Sequence, residues 1–131
     1  MIKGLKVAMI LWSAIGILAA LGYIIVPQQM LAGFQNGPSY LPYFLMLIGN
    51  AWIVCSVFVI IAARDPLKNI MWLQAAIAWS LLDLITAAYF IIRGIVPFNQ
   101  AGIVLIINII FIVAFLILYP WRKALVGKIL K

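Results

Sequence analysis

Four apolar runs, at roughly 7–26, 41–62, 70–92 and 101–119, dominate this chain. Each is close to the ~20 residues that an α-helix, rising ~1.5 Å per residue, needs to cross a ~30 Å hydrocarbon layer. An open sheet would leave backbone groups unpaired in lipid, and the ~10-residue alternating segments of a membrane barrel are missing. The expected fold is therefore all-α: an integral membrane four-helix bundle forming a single domain over residues 1–131. Composition agrees, because 69% hydrophobic and only 8% charged residues, with a mean hydropathy of +1.28, cannot clothe a water-soluble surface. The first run has the length of a span and no clear small-residue cleavage site, so it reads as a retained helix rather than a signal peptide.

The cations set the expected orientation. Lys3 and Lys6 precede the first span, Arg64 and Lys68 lie between the second and third, and Arg122, Lys123, Lys128 and Lys131 follow the fourth; only Arg93, of nine cations, falls on the other side. The positive-inside rule then places both termini in the cytoplasm, in the cytoplasmic membrane of a bacterial or archaeal cell. The net charge of +7 is on this reading topogenic, and no nucleic-acid partner is expected. The tail from Trp121 to Lys131 alternates Leu125, Ile129 and Leu130 with lysines, as an interfacial helix on an anionic bilayer would.

Much chemistry is excluded by residue type. The chain has no histidine, one cysteine (Cys55) and two acids, Asp65 and Asp83, so no metal or haem ligand set and no cofactor is expected. No phosphate loop, nucleophile elbow or carboxylate pair appears, and an enzyme is not expected.

Asp83 is the exception to an apolar pattern. It lies near the centre of the third span, by helical rise only ~3 Å to the outer side of the bilayer midplane. Arg93, ten residues on, is ~15 Å further along the same helix and cannot reach it. Asn50 of the second span and Asn108 of the fourth are expected at the same level, and Trp72, Ala76, Trp79, Asp83, Thr86 and Phe90 are spaced as one helix seam. Ser13, Gly16 and Ala20 make a small-residue face on the first helix. A carboxylate near the bilayer centre costs ~2.5–3.5 kcal/mol on insertion scales, whereas an interhelical hydrogen bond in a membrane contributes ~0.6 kcal/mol. Interhelical glue by Asp83, Asn50 and Asn108 is one reading. A ligand, ion or proton site at Asp83, with Trp79 and Thr86 beside it, is the other.

The connections have structural readings. In "ARDPLKN" Asp65 is expected to cap the third helix, with Pro66 as its first residue, and Gln28, Gln29, Gln35 and Asn36 of the first loop offer a polar-ligand alternative to plain loop filling. Four spans in 131 residues with this R-D-P and K-N turn resemble the small bacterial membrane proteins grouped with the BphX-like and DoxX-like families. That resemblance implies a four-helix bundle and transfers no functional residue. Small multidrug resistance transporters also have four short spans, but they carry an essential Glu in the first span, where this chain has no acid.

The leading functional expectation is a non-catalytic accessory or structural subunit, with the lipid bilayer, other membrane subunits or further copies of the chain as partners. The alternative is a small transporter or ligand-binding bundle built on Asp83. A membrane enzyme with Asp83 as lone acid or base ranks last.

Overall fold

A computed structural model describes residues 1–26 and 41–121. The polar first loop, with Gln28, Gln29, Gln35 and Asn36, and the basic tail, with Arg122, Lys123, Lys128 and Lys131, lie outside the described residues. Four helices run α1 Ile2–Ile25, α2 Leu41–Ala62, α3 Ile70–Ile92 and α4 Phe98–Leu118. All four are long and apolar enough to cross a membrane.

The expected spans agree with the helices except at two starts. α1 begins at Ile2 rather than Val7, and α4 at Phe98 rather than residue 101. Helical hydrogen bonding continues where the apolar run stops, and Lys6 uses its length to donate from Nζ to the Arg64 carbonyl at 2.8 Å. That bond brings the chain's start and the α2–α3 turn to one end of the bundle.

The α2–α3 turn departs from expectation in a specific way. Asp65 does accept from an orphan amide, Lys68 N to Oδ1 at 3.4 Å, but the turn it organises ends at Asn69, which is the N-cap of α3. The Asn69 side chain donates back to the Asp65 carbonyl at 3.0 Å. Pro66 is consequently buried in the turn, one turn before the helix it was expected to start. Arg64, Asp65 and Lys68 are all exposed at this end.

At the opposite end α3 stops on Gly94, whose φ of +67° needs no Cβ to be avoided. Gly94 N donates to Ile91 O and Ile95 N to Phe90 O, both at 3.0 Å, the paired bonds of a Schellman cap. Arg93 sits beside it, its guanidinium 5.9 Å from the centre of the Tyr89 ring.

Packing is dense within two antiparallel hairpins, α1 with α2 and α3 with α4, and sparser between them. In the first hairpin small residues let the backbones approach. A Cβ on Gly49 would lie 2.9 Å from the Ala20 carbonyl, and one on Gly16 would lie 2.5 Å from Ser56 Oγ. The expected face of Ser13, Gly16 and Ala20 is thus the face α1 turns to its neighbour, with Ser13 and Ala20 fully buried. The hairpins meet through an apolar cluster at the end that holds Lys6 and the α2–α3 turn: Leu5, Met9, Val59, Ala62, Leu73, Ala76, Phe111 and Phe115. Beside it the Phe58 and Trp72 rings stack 4.7 Å apart at 4°, and Gln74 Nε2 donates to Tyr119 Oη at 2.8 Å. The outer faces carry exposed Leu11, Leu18, Ile85, Ile103, Ile110 and Ile117, apolar all round as lipid-facing helices are.

Candidate functional site

Beyond the apolar cluster the two hairpins separate. Starting at the level of Trp12 and reaching Tyr23, ~16 Å along α1, they enclose a cavity of about 220 Å³. Each helix contributes to its wall: Trp12, Gly16 and Tyr23 from α1, Trp52 and Ser56 from α2, Trp79 and Asp83 from α3, Ile107, Asn108 and Phe111 from α4. The small residues that close the α1–α2 contact also leave this space, since Gly16 and Ala19 on its wall have little or no side chain to fill it.

The lining is aromatic with sparse polarity. The Tyr23 and Trp52 rings are 6.0 Å apart at 54°, and Trp52 and Trp79 are 6.0 Å apart at 58°, so one tilted row of rings runs across α1, α2 and α3. Trp79 lies four residues before Asp83 on α3, one helical turn away, and both line the cavity. Among the described residues no lysine or arginine lines the cavity. At its inner edge Trp12 Nε1 donates to Ser80 Oγ at 2.9 Å, joining α1 to α3 across the bundle; Ser80 is fully buried. The wall can therefore hold an apolar body by its rings and offer that body one carboxyl.

The expected polar layer forms only in part. Asp83, half-buried, Asn108, 8% exposed, and Trp79 all face the cavity. Asn108, however, donates from Nδ2 to the Val104 carbonyl of its own helix at 2.9 Å, and no hydrogen bond joins it to Asp83. Asn50 and Thr86 do not line the cavity. Asn50 is exposed, because its neighbour Gly49 is the residue pressed against Ala20, and one residue is ~100° of helix turn. Thr86 is also exposed, because α3 buries Leu73, Ala76, Ser80 and Ala87, a seam rotated from the expected 72–76–79–83–86–90 line. Asp83 lies at the edge of that seam, which is why it is half-buried rather than enclosed.

Sequence reading missed Trp12, Tyr23, Trp52, Ser56 and Ser80 as a set. Their signal was the spacing of Trp12, Gly16, Ala19 and Tyr23 along one face of α1, with no marker of the interhelical distances that bring the other three to it. Among the described residues no group of three or more metal-ligating side chains occurs. No family model, no curated protein and no solved structure matches the chain.

Proposed function

We propose that this chain is a small multi-pass membrane protein that binds a compact ligand between its two helical hairpins, as a transporter or carrier with both termini on the cytoplasmic side of a bacterial or archaeal membrane. The observation that carries the proposal is the cavity of about 220 Å³ with Asp83 on a mostly aromatic and aliphatic wall whose other polar side chains are Ser56, Asn108 and the Trp and Tyr ring donors. Ligand sites are concave, mostly apolar and fitted with a few convergent polar groups, and bundles build them between helices. An ionisable group in a span marks function by default, and here it faces a space instead of a partner side chain on another helix.

The test is thermal stability in detergent against small amphipathic molecules of matching size. A ligand at a hundred times its Kd stabilises the folded state by ~2.7 kcal/mol. Ala19→Phe, which places a ring in the cavity, should leave the fold intact and remove that stabilisation. If no molecule of the set raises the melting temperature of the unaltered protein, the proposal fails.

Asn50 favours a second role alongside the first. A carboxamide on the outer face of a membrane helix gains from a hydrogen-bonding neighbour, so α2 supports association with another subunit or a second copy. Stoichiometric co-purification in mild detergent that disappears in Asn50→Leu is the expected result; unchanged partners in that variant refute it.

A further inference from the structure

The wall of the cavity has the chemistry of a cation site, and we infer that its ligand is a monovalent organic cation, an amine or quaternary ammonium of about ten non-hydrogen atoms carried on an apolar body. The inference rests on the ligand-binding reading above and names the class of ligand.

Three features carry it. The first is ring geometry. Tyr23, Trp52 and Trp79 follow one another at 6.0 Å between centroids, and Trp12 and Phe111 add two further rings to the wall. Ring faces attract a desolvated cation by electrostatics, Trp most strongly, and cages of such rings are a recurring solution for alkylammonium groups. The second is charge. Asp83 is the only carboxyl on the wall, and among the described residues no lysine or arginine shares the wall with it. Arg93, the remaining cation on α3, is held against Tyr89 at the end of that helix, so Asp83 lacks a counter-charge within the described residues. A half-buried carboxylate in a membrane helix gains from a counter-charge, and a cationic ligand supplies it. The third is size. An apolar cavity of ~150 Å³ accommodates benzene, so a cavity about half as large again takes a ligand of about ten non-hydrogen atoms in contact with its rings. A small inorganic cation would keep water that these rings cannot replace. A dehydrated alkylammonium matches both the rings and the single carboxyl.

The other deep polar groups fit the same division. Ser80 Oγ accepts from Trp12 Nε1, and Asn108 Nδ2 donates to the Val104 carbonyl, which leaves Asn108 Oδ1 as an uncharged acceptor on the same wall as the carboxyl. Ser56 Oγ packs on Gly16 at the wall and carries no charge.

The decisive comparison uses two probes of the same shape: benzyltrimethylammonium and neopentylbenzene, in which carbon replaces the quaternary nitrogen. Binding is read from tryptophan fluorescence in nanodiscs of zwitterionic lipid, with protein-free discs correcting for partitioning. The full chain, Asp83→Asn and Trp52→Leu are each measured. The expected result is at least about tenfold tighter binding of the cation than of the neutral probe, a difference of ~1.4 kcal/mol, falling below about threefold in Asp83→Asn and weakening severalfold in Trp52→Leu. If the neutral probe binds as well as the cation, the cation class is wrong while ligand binding stands. If neither probe binds the full chain, both readings fall. If the preference survives in a folded Asp83→Asn, the assignment to Asp83 is refuted. An Asp83→Asn protein that does not fold leaves the ratio in the unaltered protein, with Trp52→Leu, to decide the matter.

Discussion

Replacing Gly49 by alanine should open the α1–α2 hairpin. The added Cβ would stand 2.9 Å from the Ala20 carbonyl oxygen, 2.9 Å from Ile24 Cγ1 and 3.3 Å from Tyr23 Cβ. The Ile24 methylene can move by a rotamer change, but the Ala20 oxygen belongs to the backbone of α1 and can retreat only if the helix does. Overpacking of this kind costs ~1–3 kcal/mol in a close-packed core. Alanine also favours the helix over glycine by ~0.8–1.0 kcal/mol, which works in the opposite direction. Gly4→Ala provides the control. It lies on α1, is exposed, and its Cβ would meet only the flexible Leu118 methyls at 3.4 and 3.7 Å. Gly49 is interior to α2 and gains at least as much propensity as Gly4 in the first turn of α1, so any deficit of Gly49→Ala relative to Gly4→Ala is a lower bound on a steric cost of ~1–3 kcal/mol. The assay is reversible unfolding in mixed micelles titrated with a denaturing detergent, followed by circular dichroism. A Gly49→Ala protein as stable as Gly4→Ala would refute the close contact of α1 and α2 at this level.

The Trp12–Ser80 bond should be measurable by a double-mutant cycle of Trp12→Phe and Ser80→Ala, with a coupling of ~0.5–1.5 kcal/mol; additive effects would show that the bond contributes nothing. Ser13→Ala should leave stability unchanged or raise it by up to ~1 kcal/mol, because Ser13 Oγ is buried without a hydrogen-bond partner; a large loss in a thermal melt would reveal a missing acceptor. Reporters fused after Lys131 and inserted between Gln28 and Asn36 should report opposite sides of the membrane, since eight of nine cations flank the proposed cytoplasmic ends, and reporters on one side would overturn the orientation.

Class and span were legible because a bilayer imposes them. A helix that must cover ~30 Å writes its length directly into hydropathy, and all four helices lie where the apolar runs put them, apart from the early starts at Ile2 and Phe98. Steric constraints were legible for a similar reason: Ser13, Gly16 and Ala20 can share a face only if another backbone comes close, and α2 does. Rotation of each helix about its axis was less so. In water the polar side of a helix marks its outside, but these helices are apolar on every side, so Asn50 and Thr86 carried no sign that they face outward. The rotation is decided by which small residue meets which backbone, as Gly49 against Ala20 shows, and that pairing lies in interhelical geometry. The cavity followed the same rule. Asp83 and Trp79 stood out by residue type and spacing, while Trp12 and Ser80 became partners only through the crossing of α1 and α3.

The bundle divides its length between two tasks. The end holding Leu5, Met9, Val59, Leu73 and Phe115 is sealed by aliphatic and aromatic packing, and it also carries the Lys6–Arg64 and Gln74–Tyr119 hydrogen bonds. The remainder keeps the hairpins apart around Asp83. On the scale of ~24 cal/mol per Å³ for an unfilled cavity, a space of about 220 Å³ forgoes at most ~5 kcal/mol of packing. A larger side chain at Ala19 would recover part of it without touching the sealed end, because Ala19 does not belong to the apolar cluster there. On the proposed ligand-binding reading that energy is left beside the carboxyl for an occupant, because the packing the bundle withholds from itself becomes available to the ligand.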